Sequence, residues 1–387
     1  MLKKILLSFV FTSVFSTAHA QNIKINAKYA LLEDASTGII LAEKNSDEKM
    51  APASMSKLMT VYMVFNRLKS GVLSLDDKFT VSERAWKIGG AKTGGSTMFL
   101  KPKSKVSVAN LLRGVIIQSG NDACIVLAEG ISGSEEEFVK EMNETAARLG
   151  LTSSNFKNVT GLPNKEHYMS PRDLIILTNH IINDFPELYS IFKETQFTYN
   201  HIKQENRNPL LYIKSLKGIA DGLKTGHTEK SGYGLVGSAK TADRRISMVI
   251  NGLPSNKARS QEAENLINWG LKEFENRILY KKDEKVTSIP VWSGRAENVS
   301  ATAEKDFLVT LPKIKRKETK IEVIYNSPVK APIKKGDKIG RLIVKNPSLS
   351  QTQEINLLAG EDVSTYGYLG KFKSVIKHFC KQMWEKL

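Results

Sequence analysis

Ala51-Pro52-Ala53-Ser54-Met55-Ser56-Lys57-Leu58-Met59-Thr60 opens the most uniformly apolar helical stretch of this chain. Positions i and i+3 of a helix share one face a turn apart, so Ser54 meets Lys57 without help from elsewhere. Pro52 and Ala53 form the entry, and residues 58–65 are apolar almost all round, which predicts a buried helix. A hydroxyl and an amine at its mouth form a site or carry a desolvation cost. Spacing alone does not decide between them. S-x-x-K recurs at Ser46–Lys49, Ser154–Lys157, Ser190–Lys193, Ser327–Lys330 and Ser374–Lys377, and only the Ser54 copy begins a helix that reads as buried.

Outward from that helix, short strand-like runs at 29–33 and 39–43 flank the turn cluster Asp34-Ala35-Ser36-Thr37-Gly38. Residues 76–103 read as mixed and loop-like. Helices are predicted over 106–117, 122–129, 135–149 and 174–182, the last capped by Ser170-Pro171-Arg172-Asp173. Strand character returns at 233–239 and 245–251, around Thr241-Ala242-Asp243, and an amphipathic helix follows over 262–274. Strands at both ends and helices between them predict an α+β domain over 21–282, one antiparallel sheet with a helical region packed beside it. Beyond Lys281-Lys282-Asp283, runs at 286–292, 307–311, 321–325, 339–344 and 355–358 alternate with Pro- and Gly-containing turns. They predict a small all-β sandwich over 283–370, with Lys313 to Lys317 as a solvated edge or turn.

The two ends read differently. Lys3 and Lys4 precede an apolar run over 5–15, and Ala18-His19-Ala20 supplies a small-x-small cleavage pattern. That run is shorter than the roughly 20 residues of a membrane span, so residues 1–20 read as a cleaved secretory signal with Gln21 near the mature start. At the other end, Phe372, Val375, Ile376, Phe379, Cys380, Met383 and Leu387 follow the i, i+3, i+4, i+7 rule. Lys371, Lys373, Lys377, Lys381 and Lys386 take the opposite face. Such a basic amphipathic helix, 371–387, reads as a peripheral anchor on an anionic membrane surface, the alternative being a helix docked on its own protein.

The net charge is +17, and loss of Lys3 and Lys4 leaves it strongly basic. In an exported chain this favours anionic headgroups or an acidic wall polymer over nucleic acid, or simply a solvated basic surface. Two cysteines, Cys124 and Cys380, do not suggest a disulfide framework; Cys124 sits in an apolar run and reads as core.

Serine becomes a nucleophile when a neighbouring base takes its proton, and a lysine serves if burial or another cation depresses its pKa. Ser119-Gly120-Asn121 lies at a corner between two predicted helices. There Ser119 can relay a proton, and Asn121 can hold the Lys57 amine or a substrate carbonyl. Ser-Gly-Asn is also ordinary turn chemistry, and Ser153-Ser154-Asn155 fits the same loose pattern. Lys224-Thr225-Gly226 leads into the late strand pair. A lysine and threonine at a strand edge can bind a carboxylate, and glycine permits close backbone approach. Lys224 beside Lys57 would also help keep Lys57 neutral. The copy Lys92-Thr93-Gly94 lies in a Gly-rich loop instead.

In the order S-x-x-K, S-x-N, K-T-G these motifs resemble those of class A β-lactamases and penicillin-binding proteins. The chain is most similar to the low-molecular-mass penicillin-binding proteins, serine-type D-alanyl-D-alanine carboxypeptidases of peptidase type S11. The likeness extends through Met98-Phe99-Leu100-Lys101-Pro102, Gln118-Ser119-Gly120-Asn121-Asp122-Ala123 and Asp221-Gly222-Leu223-Lys224-Thr225-Gly226-His227-Thr228, and on to the β-rich second domain and amphipathic tail. It implies a β-lactamase/transpeptidase-like fold, with Ser54 as nucleophile, Lys57 as base and Ser119 as relay. It further implies that Lys224 and Thr225 hold the terminal carboxylate beside Gly226, that the Ser54 and His227 N–H groups form the oxyanion hole, and that Arg259 lies near the carboxylate. The substrates implied are peptidoglycan stem peptides ending in D-Ala-D-Ala, with β-lactams as acylating mimics and no cofactor. No H-E-x-x-H spacing suggests a metal. The E-x-x-L-N stretch of a class A β-lactamase is missing. A D,D-endopeptidase shares the motifs, and a non-hydrolytic β-lactam sensor would carry a spanning helix and an output domain.

Overall fold

The computed structural model describes residues 23–366 and, as backbone alone, residues 2–7. The predicted leader cleavage site and the tail helix at 371–387 lie outside the described residues. The chain divides into two compact units, Asn22–Lys272 and, together with the first residues, Glu273 onward.

The first unit has a five-stranded antiparallel sheet. Its strand order is Ile39–Lys44, Tyr29–Asp34, Arg245–Leu253, Gly232–Lys240, Ala220–Thr228. Strands from both ends of the unit thus share one sheet, as the distribution of strand patterns implied. Seven helices accompany it: α1 Lys57–Lys69, α2 Glu83–Gly89, α3 Val108–Ile116, α4 Asn121–Ser132, α5 Glu135–Arg148, α6 Pro171–Asp184 and α7 Asn256–Glu273. Helix α1 is buried at every residue from Lys57 to Phe65, as an apolar helix must be. It forms the middle of a core shared with α3, α4, α5 and α6. Helix α7 buries Ala263, Leu266, Ile267 and Gly270 on one stripe. At Gly270 it lies against Leu32, Leu41 and Ile246 of the sheet.

Three local expectations change. Residues 76–103 hold a short strand, Lys78–Thr80, and helix α2, whose Ser82 cap accepts a hydrogen bond from Ala85 N. Only Ala85 and Gly89 of α2 are buried, so the helix leaves no apolar period in the sequence. The first turn expected of α3 is instead the strand Lys105–Ser107, and Ser107 caps the helix from outside. The boundary expected at 282/283 falls between Lys272 and Glu273, because Phe274–Tyr280 is a strand paired with Phe307–Pro312. It follows α7 with no intervening turn residue, so no local signal separates the two.

Among the described residues the second unit is built of β-strands. Its larger sheet runs Leu2–Leu7, Lys320–Asn326, Lys338–Lys345, Gln353–Ala359, Asn298–Ala303, Lys285–Trp292, Val329–Lys330. The pair Phe274–Tyr280 and Phe307–Pro312 shares one core with it. Burial alternates along Lys320–Asn326 and Gln353–Ala359, the period-two signature of strands covered on one face.

Candidate active site

The chain enters α1 through a 3-10 turn, Ala53–Ser56, so Ser54 precedes the helix proper. In a 3-10 turn positions i and i+3 eclipse, which brings the two side chains closer than an α-helical turn does. Ala53 takes a left-handed φ of 47° to make the entry, a strained conformation for a residue with a Cβ. Lys57 Nζ donates to Ser54 Oγ at 2.8 Å and to the Thr160 carbonyl at 2.6 Å. Lys57 is 0% exposed, while Ser54 faces a cavity of about 1230 Å³. At two of the other copies the hydroxyl is used elsewhere: Ser46 donates to Glu43 and Ser154 to Asp173.

Burial lowers the Lys57 pKa from 10.5 to about 8, because desolvation penalises the ammonium form. Arg207 lowers it further, whereas Cys124 and Asp122 act in the opposite direction. The Lys224 pKa is also pushed down, by burial first and by Lys57 second. Repulsion between the two amines is reciprocal. The main agent that neutralises Lys57 is therefore its burial rather than Lys224.

Sequence reasoning missed the Thr160 carbonyl, 103 residues away from Lys57. The Asn158 side-chain oxygen fixes it by accepting from Thr160 N, Thr160 Oγ1 and Gly161 N. Gly161 has a φ of +80°, and a Cβ there would overlap the Ala53 carbonyl and the Ser56 hydroxyl. A Gly161→Ala variant is expected to push Thr160 off Lys57. It should lose roughly 100-fold in kcat/KM, as displacements near 1 Å can, and should melt at a lower temperature. Normal steady-state kinetics in that variant would refute this placement of Thr160.

Ser119 has a left-handed φ of 59° and is buried. Lys224 Nζ donates to its hydroxyl at 2.9 Å and to the Thr225 carbonyl at 3.1 Å. A second Ser–Lys pair therefore stands beside the first. Lys224 is 2% exposed and lies behind the cavity wall, with Thr225 and His227 on its surface. Of the two expectations for Asn121, the lysine one does not hold, since Lys57 is bonded to Ser54 and Thr160. The Asn121 side chain lines the cavity instead. Next to it, Asp122 accepts from Thr97 Oγ1, Met98 N, Leu100 N and Ala123 N. That carboxylate holds the 97–100 segment against the start of α4.

Ala220–Thr228 is an edge strand of the sheet, so one side of its backbone is available to an extended peptide. Gly226 also has a reason within the protein itself. A Cβ there would come within 2.8 Å of the Pro52 carbonyl and 3.0 Å of Met55 Cγ. The glycine lets this strand close on the Ser54 turn. His227 is exposed and stacks on Tyr233, with ring centroids 3.9 Å apart. Arg259, also on the cavity, donates to the Gly234 carbonyl at 3.3 Å and to Asn256 Oδ1 at 2.6 Å. Its guanidinium lies over Tyr233, and its Nε has no partner. Burial lowers its pKa to about 10. A buried guanidinium bonded only to neutral groups is suited to an incoming carboxylate. Tyr233 and Arg207, both at the cavity, carry no motif and were not foreseen.

A family model described as D-alanyl-D-alanine carboxypeptidase matches residues 15–254, and one for the penicillin-binding protein 5 C-terminal domain matches residues 274–365. The chain is 41% identical over 349 residues to D-alanyl-D-alanine carboxypeptidase DacC of Escherichia coli, covering 90% of this chain and 86% of that protein. To DacA of Haemophilus influenzae it is 38% identical over 373 residues, covering 94% and 93%. Among solved structures, penicillin binding protein 5 from Haemophilus influenzae superposes with a TM-score of 0.78 at 38% identity, covering 89% of this chain and all of that one. D-alanyl-D-alanine carboxypeptidase DacD from Francisella tularensis superposes with a TM-score of 0.79 at 30% identity, covering 92% and 98%.

Proposed function

The chain belongs to the D-alanyl-D-alanine carboxypeptidase family of serine peptidases, and we propose that it removes the terminal D-alanine of peptidoglycan stem pentapeptides through an acyl-enzyme on Ser54. The observation that carries this reading is the pairing of Ser54 with Lys57 at 2.8 Å and of Ser119 with Lys224 at 2.9 Å beside one cavity.

The neutral Lys57 amine takes the Ser54 proton as Oγ attacks the carbonyl carbon between the two D-alanines. The oxyanion is held by the Ser54 and His227 backbone N–H groups. The peptide C–N bond then breaks as Ser119, held by Lys224, gives its proton to the departing amine and recovers one from the protonated Lys57, which is neutral again for the second step. Thr225 and Arg259 hold the terminal carboxylate, Gly226 lets the strand stand close to Ser54, and the Asn121 amide meets the acyl-side backbone. Water, activated by Lys57, cleaves the ester and releases the tetrapeptide. A β-lactam acylates Ser54 by the same attack, with its amine still tethered after the ring opens.

Incubation with a pentapeptide ending in D-Ala-D-Ala is expected to release free D-alanine, and a cross-linked dimer is expected to stay intact. Cleavage of the dimer without D-alanine release would overturn the exopeptidase reading.

The relatives are bacterial, and among the described residues no helix is long and apolar enough to cross a membrane. The cellular site proposed is the outer, periplasmic face of the cytoplasmic membrane. Cleavage near Gln21 releases the leader, and Lys371, Lys373, Lys377, Lys381 and Lys386 face anionic headgroups while Phe372, Phe379 and Leu387 enter the interface. Deleting residues 371–387 is expected to move the protein from the membrane to the soluble fraction; unchanged membrane retention would refute the anchor.

A further inference from the structure

We propose that Arg207 binds a second substrate carboxylate, one carried by the stem peptide on the acyl side of the scissile bond. The proposal rests on the carboxypeptidase reading and deepens it into a rule of substrate choice.

Arg207 differs from most arginines of this chain in what it is bonded to. Arg113 is paired with Glu194, Arg172 with Asp47, Arg244 with Asp34 and Arg245 with Asp221. Arg207 lines the active-site cavity, and its guanidinium donates to a neutral group, Ser96 Oγ, at 2.5 Å. Glu205 is the acid on the described cavity wall, and it forms no ion pair with Arg207. An arginine carries five N–H donors and a permanent charge, and beyond the bond to Ser96 the Arg207 donors have no partner among the described residues.

The segment that presents Arg207 is built to hold it still. Asn206 and Asn208 on either side are buried. Asn206 N donates to the Thr195 carbonyl at 2.7 Å, and its side-chain amide donates to the Glu194 carbonyl at 2.9 Å. Asn206 Oδ1 accepts from Asn208 N at 3.0 Å, and Asn208 Oδ1 accepts from Leu210 N at 3.1 Å. The backbone is thus fixed on both sides of a side chain that remains exposed. A preorganised guanidinium loses little freedom when it binds a planar anion.

Its position selects the part of the substrate it meets. Ser96, its partner, accepts from Asn121 N through its carbonyl at 2.8 Å, which places Arg207 on the Asn121 side of the cavity. Arg259 is tied instead to Gly234, Asn256 and Tyr233. With the terminal carboxylate at Arg259, the residues ahead of the scissile bond pass Asn121 and come to Arg207. A cavity of 1230 Å³ exceeds the roughly 300–1,000 Å³ of pockets that enclose drug-sized ligands, which leaves room for those residues. Stem peptides offer two carboxylates there: the side-chain carboxylate of a diaminopimelate third residue, and the α-carboxylate of a γ-linked glutamate.

The test measures kcat/KM for D-alanine release from four pentapeptides: both carboxylates free, each one amidated singly, and both amidated. Wild type is expected to prefer the doubly free peptide over the doubly amidated one by about tenfold or more, the worth of a charge-assisted hydrogen bond. The single amidation that reproduces the loss identifies the carboxylate. Arg207→Gln is expected to abolish this preference and Arg207→Lys to restore part of it. The readout is the ratio of rates between peptides within one variant, because loss of Arg207 also raises the Lys57 pKa and slows acylation by every substrate alike, and a thermal melt reports an intact fold in each. Equal rates of wild type on all four peptides would overturn the proposal. So would an Arg207→Gln loss that is uniform across the peptides and matched by Ser96→Ala, because Arg207 would then only brace the Ser96 loop. Wild type releasing no D-alanine from any peptide would instead sink the carboxypeptidase reading beneath it.

Discussion

Ser54→Ala is expected to release no measurable D-alanine and to take no covalent label from a fluorescent penicillin, with a melting temperature within a few degrees of wild type. Loss of a serine-peptidase nucleophile costs on the order of 10⁶-fold in kcat. Here Ser119 offers no substitute, because its hydroxyl is buried and held by Lys224. The fold should tolerate the change. Ser54 is partly exposed, and its hydroxyl serves only as an acceptor for Lys57, which keeps the Thr160 carbonyl. D-alanine release and penicillin labelling, read beside a thermal melt, separate lost chemistry from lost structure. Labelling that survives in Ser54→Ala would move the acylation site elsewhere.

Lys57→Met has the next largest expected effect. Methionine fills a similar volume in a core position that is 0% exposed and removes the amine. General-base catalysis is worth about 10²–10⁴-fold, so the penicillin acylation rate should fall by at least about 1,000-fold. Stability should change little, since the cost of burying an amine disappears together with its bond to Thr160. Lys57→Arg should be as inactive, because a guanidinium does not give up its proton in the accessible pH range. The pH profile supplies the sign. Burial brings the Lys57 pKa down from 10.5 to about 8, so the neutral, basic form is gained as pH rises through that value. Wild-type acylation should climb about tenfold per unit below pH 8 and level off above it. The residual rate of Lys57→Met should show no such rise, and an equal rise in both would exclude Lys57 as the base.

What the sequence determined by itself was whatever is encoded within a few residues. The Ser54–Lys57 spacing, the apolar run behind it, the motif order and the strand patterns at both ends of the first unit are local periodicities. Local periodicity survives in the chain because each turn or strand selects its own buried face. Choosing Ser54 from the other S-x-x-K copies already needed the later motifs, and the hydroxyl bonds of Ser46 and Ser154 show where those copies go instead.

Tertiary structure alone decided the rest. Thr160 reaches Lys57 across 103 residues, and Lys224 reaches Ser119 across 105. Gly226 is a glycine because of Pro52 and Met55, not because of a neighbour in sequence. Arg207 follows a short hairpin, Gln196–Tyr199 with Ile202–Glu205, and becomes part of the cavity only where that segment meets Ser96. The common physical reason is that long-range contacts depend on how separate elements pack, which leaves no period to read. The depression of the Lys57 pKa is of the same kind. An i+3 spacing places an amine next to a hydroxyl, but only burial by distant chain makes that amine a base near neutral pH.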